Sequence, residues 1–180
     1  MDQRDDLTRL DLSALRIIHY PDPRLQEAAQ PVEAVDASLA PLVERMFELM
    51  MAARGVGLAA PQVGLALRLF VACPSGEVAD RRVYVNPRLI SHEGQMEEDE
   101  GCLSVPGLTC RLKRYARVTI EATDLTGRTF QETGEGLLAR IFQHETDHLD
   151  GRLIVDRMGS LARLAHRQAL KDLRERFEEE

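Results

Sequence analysis

Tryptophan is absent from this chain of 180 residues, and Phe (5) and Tyr (3) are scarce. A core must therefore be filled by Leu, Val, Ile, Ala and Met, within an ordinary hydrophobic fraction of 44%. Cysteine is also rare: Cys73, Cys102 and Cys110 are an odd number without framework spacing. That excludes a disulfide-stapled scaffold and points to free thiols in a reducing compartment. A domain of this length buries roughly 70% of its unfolded surface and needs no staple. Positive charge is in deficit, with 23 Lys and Arg against 30 Asp and Glu and a net charge of −7, so no basic surface for direct nucleic-acid binding is expected. No apolar run approaches the roughly 18 residues of a membrane span. The start, Met1-Asp2-Gln3-Arg4-Asp5-Asp6, shows no apolar stretch behind a basic head. These absences lead us to expect a soluble cytoplasmic protein. Repeats, low-complexity segments and linkers are missing too, so one domain is expected over 1–180, with frayed ends at 1–12 and 178–180.

Hydrophobic periodicity places the elements. Arg16-Ile17-Ile18 reads as a short strand. A helix is predicted over 38–53, with Ser38 as N-cap, Pro41 in the first turn and Gly55 as the left-handed stop. Segments 67–73 and 82–86 read as strands, each closed by a proline. Residues 117–122 alternate and turn through Asp124-Leu125-Thr126-Gly127 into a partner strand at 129–131. A second helix is predicted over 135–149, ending at Gly151, and a third over 160–177 with Leu161, Leu164, Ala165, Leu170 and Leu173 on its apolar stripe. Strands in the middle and helices at the flanks predict an α+β fold with antiparallel sheet.

The strongest chemical signal is His144-Glu145-Thr146-Asp147-His148. Residues four apart share a helix face, so both imidazoles can reach one ion, and the intervening glutamate can handle protons from a water beside it. The long zinc-protease pattern fails, because its third histidine would fall at 154, which is Ile. Glu175, Glu178, Glu179 and Glu180 are formal third ligands on an acidic chain end. Cys102, within Glu100-Gly101-Cys102-Leu103-Ser104, is the better candidate. One thiolate and two imidazoles suit a divalent transition metal and leave a position open for water. The competing reading of Cys102 is a small buried residue. Cys73 lies in an apolar strand and reads as core.

A third segment, Gly55-Val56-Gly57-Leu58-Ala59-Ala60-Pro61-Gln62, has the small residues of a close backbone crossing or a substrate-hugging loop. No P-loop lysine follows it, so phosphate binding is a weak reading. Gln62 taken alone reads as structural. Leu137 and Ile141 share a helix face with His144 and read equally well as pocket wall or plain core.

Together these segments resemble peptide deformylase. That family joins a Gly-x-Gly-Leu-Ala-Ala-x-Gln loop, a Glu-Gly-Cys-Leu-Ser loop and a Gln-His-Glu-x-x-Asp-His-Leu helix in this order, matched here at 55–62, 100–104 and 143–149. The likeness extends over about residues 14–165, taking in Tyr20-Pro21-Asp22-Pro23, Asn86-Pro87 and Gly136-Leu137-Leu138-Ala139.

The resemblance implies antiparallel sheets around a central metal-binding helix, with Cys102, His144 and His148 as ligands. The implied ion is iron(II), which nickel, cobalt or zinc can replace. It implies that Glu145 moves the protons, that Gln62 and the Leu103 N–H steady the oxyanion, and that Gly57 binds the peptide backbone. The implied substrates are N-formylmethionyl nascent peptides, and the products are formate and a free amino-terminal methionine. Thr109 and Cys110 depart from the arginine and small residue that relatives of this style carry there. In some relatives a basic tail docks to the ribosome, a pattern that the acidic end of this chain does not match. Two other readings compete with a deformylase: a metal-dependent peptidase or amidase using the same centre, and a metal-stabilised binding domain without catalysis, which would need neither Glu145 nor Gln62.

Overall fold

A computed structural model describes residues 9–179. Its main sheet has five strands, all paired antiparallel, in the order β1-β2-β3-β6-β7. They are β1 (Gly57–Ala59), β2 (Leu69–Ala72), β3 (Arg82–Glu93), β6 (Arg117–Thr123) and β7 (Thr129–Glu135). Two further strands, β4 (Met96–Gly101) and β5 (Thr109–Arg114), form a separate ribbon. The helices are α1 (Ala40–Ala52), α2 (Leu137–Leu149), α3 (Ile154–Arg157), α4 (Ser160–Ala165) and α5 (Arg167–Glu179). The α+β expectation agrees with this arrangement.

Side-chain alternation explains which faces are buried. In β6, Val118, Ile120 and Ala122 point inward while Arg117, Thr119, Glu121 and Thr123 point outward. All of β2 is buried, as its unbroken apolar run requires. Helix α2 lies against this sheet through Ala139, Phe142 and Leu149, which share a cluster with Phe70, Tyr84, Val118 and Ile120. Half of the few aromatics meet here: Tyr84 stacks on Phe70 at 4.6 Å and contacts Phe142 and Phe130. A second cluster seats α1 through Leu42, Val43, Met46, Phe47 and Met50. A third joins β5 to α3 and α5 through Leu112, Ile154, Leu170 and Leu173.

Several expectations are corrected. Arg16–Ile18 forms no strand; the Ile18 N–H instead donates to the Gln62 carbonyl. Asp36, not Ser38, supplies the first cap: its carboxylate accepts from the Ser38 N–H at 2.8 Å and opens a 3-10 turn ahead of α1. The left-handed residue closing α1 is Arg54 (φ 56°), not Gly55. Arg54 and Gly55 donate their N–H groups back to Met51 and Met50, the Schellman pattern. Gly55 is needed for a different reason, since a Cβ there would sit 2.6 Å from Leu103 Cδ1.

Pro87 does not end its strand. Asn86 takes φ 50°, its amide clasps the Val32 backbone, and β3 resumes after a register shift. Helix α2 begins at Leu137 rather than 135, behind Gly136 with φ 55°. The third predicted helix is two helices broken at His166, with Leu161 and Leu164 exposed rather than in the core. Of the ends expected to fray, 1–8 and 180 lie outside the described residues. Leu12–Ala14 form a 3-10 turn, and Glu178 and Glu179 continue α5.

Candidate metal centre

Helix α2 presents His144 and His148 one turn apart, and their Nε2 atoms lie 3.2 Å from each other. The chain leaves β4 at Gly101 and brings Cys102 over this face, with Sγ 3.3 Å from His148 Nε2. The three donor atoms all lie within 4.8 Å of one another. A tetrahedral ion with metal–nitrogen bonds near 2.1 Å and metal–sulfur near 2.3 Å would hold such atoms roughly 3.4–3.6 Å apart. The side chains therefore stand close to the positions that one ion requires. None of the glutamates at the chain end joins this group among the described residues.

The ring orientations fit the same purpose. His144 Nδ1 donates to Glu100 Oε1 at 2.6 Å, so that in the neutral ring it is the Nε2 lone pair that is left to face Cys102 and His148. Burial pushes the His148 pKa well below the usual histidine range, and a charge on His144 adds to that; neutral imidazole is the ligating form. Burial alone would depress His144 as well, but the Cys102 sulfur and the Glu100 carboxylate hold it well above the usual value.

Glu100 is itself fixed from behind. Arg114, inward-facing at the end of β5, donates from Nε (3.1 Å) and Nη2 (2.6 Å) to its two oxygens. The Arg114 Nη1 donates to Asp147 at 2.7 Å, and Asp147 also accepts from Arg157. Burial would raise the Glu100 pKa, yet the donors on His144 and Arg114 bring it down to about 2. Sequence reasoning missed this chain of charges. Glu100 and Asp147 were visible inside the motif strings as polar residues without a role, whereas nothing in the run around Arg114 singles it out.

On the open side of the centre is a cavity of about 740 Å³ whose walls include Gly57, Gln62, Cys102, Leu103, Leu137, Ile141, His144 and Glu145. His148 lies behind this wall and is buried. Glu145 is 3% exposed, and burial, opposed by His144, raises its pKa to about 7, a value suited to taking and returning a proton near neutrality. Its Oε1 would be 2.3 Å from a Cβ on residue 57, so Gly57 is the residue type that leaves room for this carboxylate.

Gln62 has the structural role weighed for it and also lines the cavity. Its Oε1 accepts from the Ala59 N–H at 2.9 Å, and its Nε2 faces Ser104 Oγ (3.2 Å) and Cys102 Sγ (3.7 Å). Ile141 is 3% exposed and belongs to core and cavity together, while Leu137 is 42% exposed and belongs to the cavity alone. Cys73 sits in the core as expected, and Cys110 is buried on β5. Thr109 lines the cavity and Cys110 does not.

A family model described as polypeptide deformylase matches residues 14–164. The chain belongs to the polypeptide deformylase family. Its deformylase relatives include that of Chromobacterium violaceum, 42% identical over 160 residues that cover 89% of this chain and 96% of the relative. The Heliobacterium modesticaldum peptide deformylase is 48% identical, covering 82% and 95%. Among solved structures, a Legionella pneumophila peptide deformylase superposes with a TM-score of 0.84 at 45% identity, covering 93% of this chain and 99% of that one. An Arabidopsis thaliana peptide deformylase gives 0.87 at 40%, covering 92% and 93%. The elements that bring Cys102, His144 and His148 together lie inside the matched segment.

Proposed function

We propose that this deformylase removes the formyl group from the amino-terminal methionine of newly made chains, with Cys102, His144 and His148 holding one divalent ion and Glu145 moving the protons. The observation that carries this reading is the convergence of the three donor atoms within 4.8 Å, with the Glu145 carboxylate on their cavity side. A divalent ion in that position supplies Lewis acidity that lowers the pKa of a water to near neutrality.

Glu145 takes a proton from the attacking water and returns one to the departing amine. Gln62 Nε2 and the Leu103 N–H donate to the oxygen that gains charge as the formyl carbon becomes tetrahedral; losing one such donor typically costs about 10²–10³ in rate. Gly57, on the strand beside Glu145, receives the peptide backbone, and Leu137 and Ile141 form the apolar wall for the methionine side chain. Iron(II) is the ion we propose, as the family likeness implies, with nickel, cobalt or zinc able to serve, because ligand identity alone does not separate these ions. We place the reaction in the cytoplasm, where nascent formylated chains arise; Cys73, Cys102 and Cys110 are all free thiols, and no described helix is long and apolar enough to cross a membrane.

The test is an anaerobic preparation assayed for formate release with metal content measured alongside. A formyl-Met-Ala-Ser peptide is expected to release formate quickly and its unformylated twin to stay uncut. Cleavage confined to internal peptide bonds would overturn the reading in favour of a peptidase. Glu145→Gln is expected to keep its metal while turnover falls by about 10²–10⁴; unchanged turnover would remove Glu145 from the mechanism.

A further inference from the structure

Formate release concerns only the first residue of a substrate whose following residues must cross the rim of the same cavity. Two arginines line that cavity. Arg54 lines the cavity from the end of α1, and Arg140 lines it from the first turn of α2. The carboxylates in the wall, Glu100 and Glu145, are both buried, and Glu100 is already engaged by Arg114 and His144. Neither Arg54 nor Arg140 enters an ion pair among the described residues. Arg140 spends one guanidinium nitrogen on the Asp99 carbonyl at 2.8 Å, and its Nε is buried without a partner.

Arg54 is unusual in its backbone as well. It occupies the left-handed closing position of α1 (φ 56°), which glycine fills at least conformational cost. A long cation kept at a strained position in a cavity wall indicates a function for its side chain. The molecule as a whole, at a net charge of −7, would repel an acidic peptide, so these two cations oppose the overall field beside the cavity.

We propose that Arg54 and Arg140 form a cationic collar at the cavity mouth, which makes the enzyme favour formyl-methionyl chains with acidic side chains directly after the methionine. This rests on the reading that the cavity takes formyl peptides. The collar acts on residues that do not react, so the preference is expected in KM rather than kcat.

The experiment compares formyl-Met-Asp-Asp, formyl-Met-Lys-Lys and formyl-Met-Ala-Ser peptides on the metal-loaded enzyme, reading formate. The acidic peptide is expected to exceed the basic one in kcat/KM by about three- to tenfold, as suits partly exposed charge pairs. Arg54→Glu and Arg140→Gln are each expected to lower that ratio at least about threefold, and the ratio is a quantity that a general loss of enzyme does not move. A wild-type ratio at or below one overturns the collar, and so does a ratio that both variants leave unchanged. In either case the deformylase reading stands if formyl-Met-Ala-Ser is turned over. If no peptide yields formate, both readings fall.

Discussion

Replacing Arg114 by methionine tests whether the metal centre is held from behind by buried charge. The arginine side chain is 5% exposed and bridges Glu100 and Asp147. Removing one partner of a buried ion pair typically costs about 3–5 kcal/mol, because the other charge stays buried. A second route bounds the figure from above. The Glu100 pKa falls from 4.5 to about 2, which at 1.36 kcal/mol per unit is about 3 kcal/mol of stability, supplied by His144 first and Arg114 second. The lower end of the range is expected, since His144 still donates to Glu100 and Arg157 still holds Asp147.

For a chain of this size each kcal/mol shifts the melting temperature by roughly 2–4 °C, so Arg114→Met should melt about 6–12 °C lower at pH 7. The sign with pH follows from the depressed pKa. The contribution of ionised Glu100 is complete above its unfolded value of 4.5 and is lost as the pH falls from there toward 2. Chelator-treated wild type and variant, melted by circular dichroism from pH 7 to pH 2, should therefore converge below 4.5. Metal affinity at neutral pH should fall about 10–100-fold in competition with a chromogenic chelator, because the carboxylate that orients His144 has lost its anchor. A stability difference under about 1 kcal/mol, or one that stays constant down to pH 2, would refute this account.

Gly57→Ala should retain metal but lose activity, because its Cβ would claim the space 2.3 Å from Glu145 Oε1; metal content and formate release measured on one sample decide it, and the overpacking should cost about 1–3 kcal/mol in denaturant melts. Cys102→Ser should bind the ion more weakly, since a hydroxyl is a poor replacement for a thiolate, and metal analysis after dialysis would show the loss; full retention would remove Cys102 from the ligand set. Ile141→Ala should cost about 2–5 kcal/mol in an unfolding titration as a core residue and also raise KM for formyl-methionyl peptides as a cavity wall; a change in stability without a change in KM would assign it to the core alone.

Local chemistry was legible at two places where neighbours in sequence are neighbours in space. The four-residue spacing of His144 and His148 sets them on one helix face, and the alternation of 117–122 and the turn at Gly127 specify the β6–β7 hairpin. The ribbon of β4 and β5 was not legible, because Glu97, Glu98, Asp99 and Glu100 give it the charge of a loop rather than the alternation of a strand. The break at His166 was hidden by a leucine pattern that continues across it.

By itself, then, the sequence determined which donors are available, Cys102, His144 and His148, and the helix that pairs two of them. Only the tertiary structure decided that the sulfur reaches the imidazoles, that Arg114 closes on Glu100 and Asp147, and that Arg54 and Arg140 line one cavity. These partners lie tens of residues apart. Helical and strand periods report the facing of side chains within one element, whereas contacts between distant elements arise only when the whole core packs.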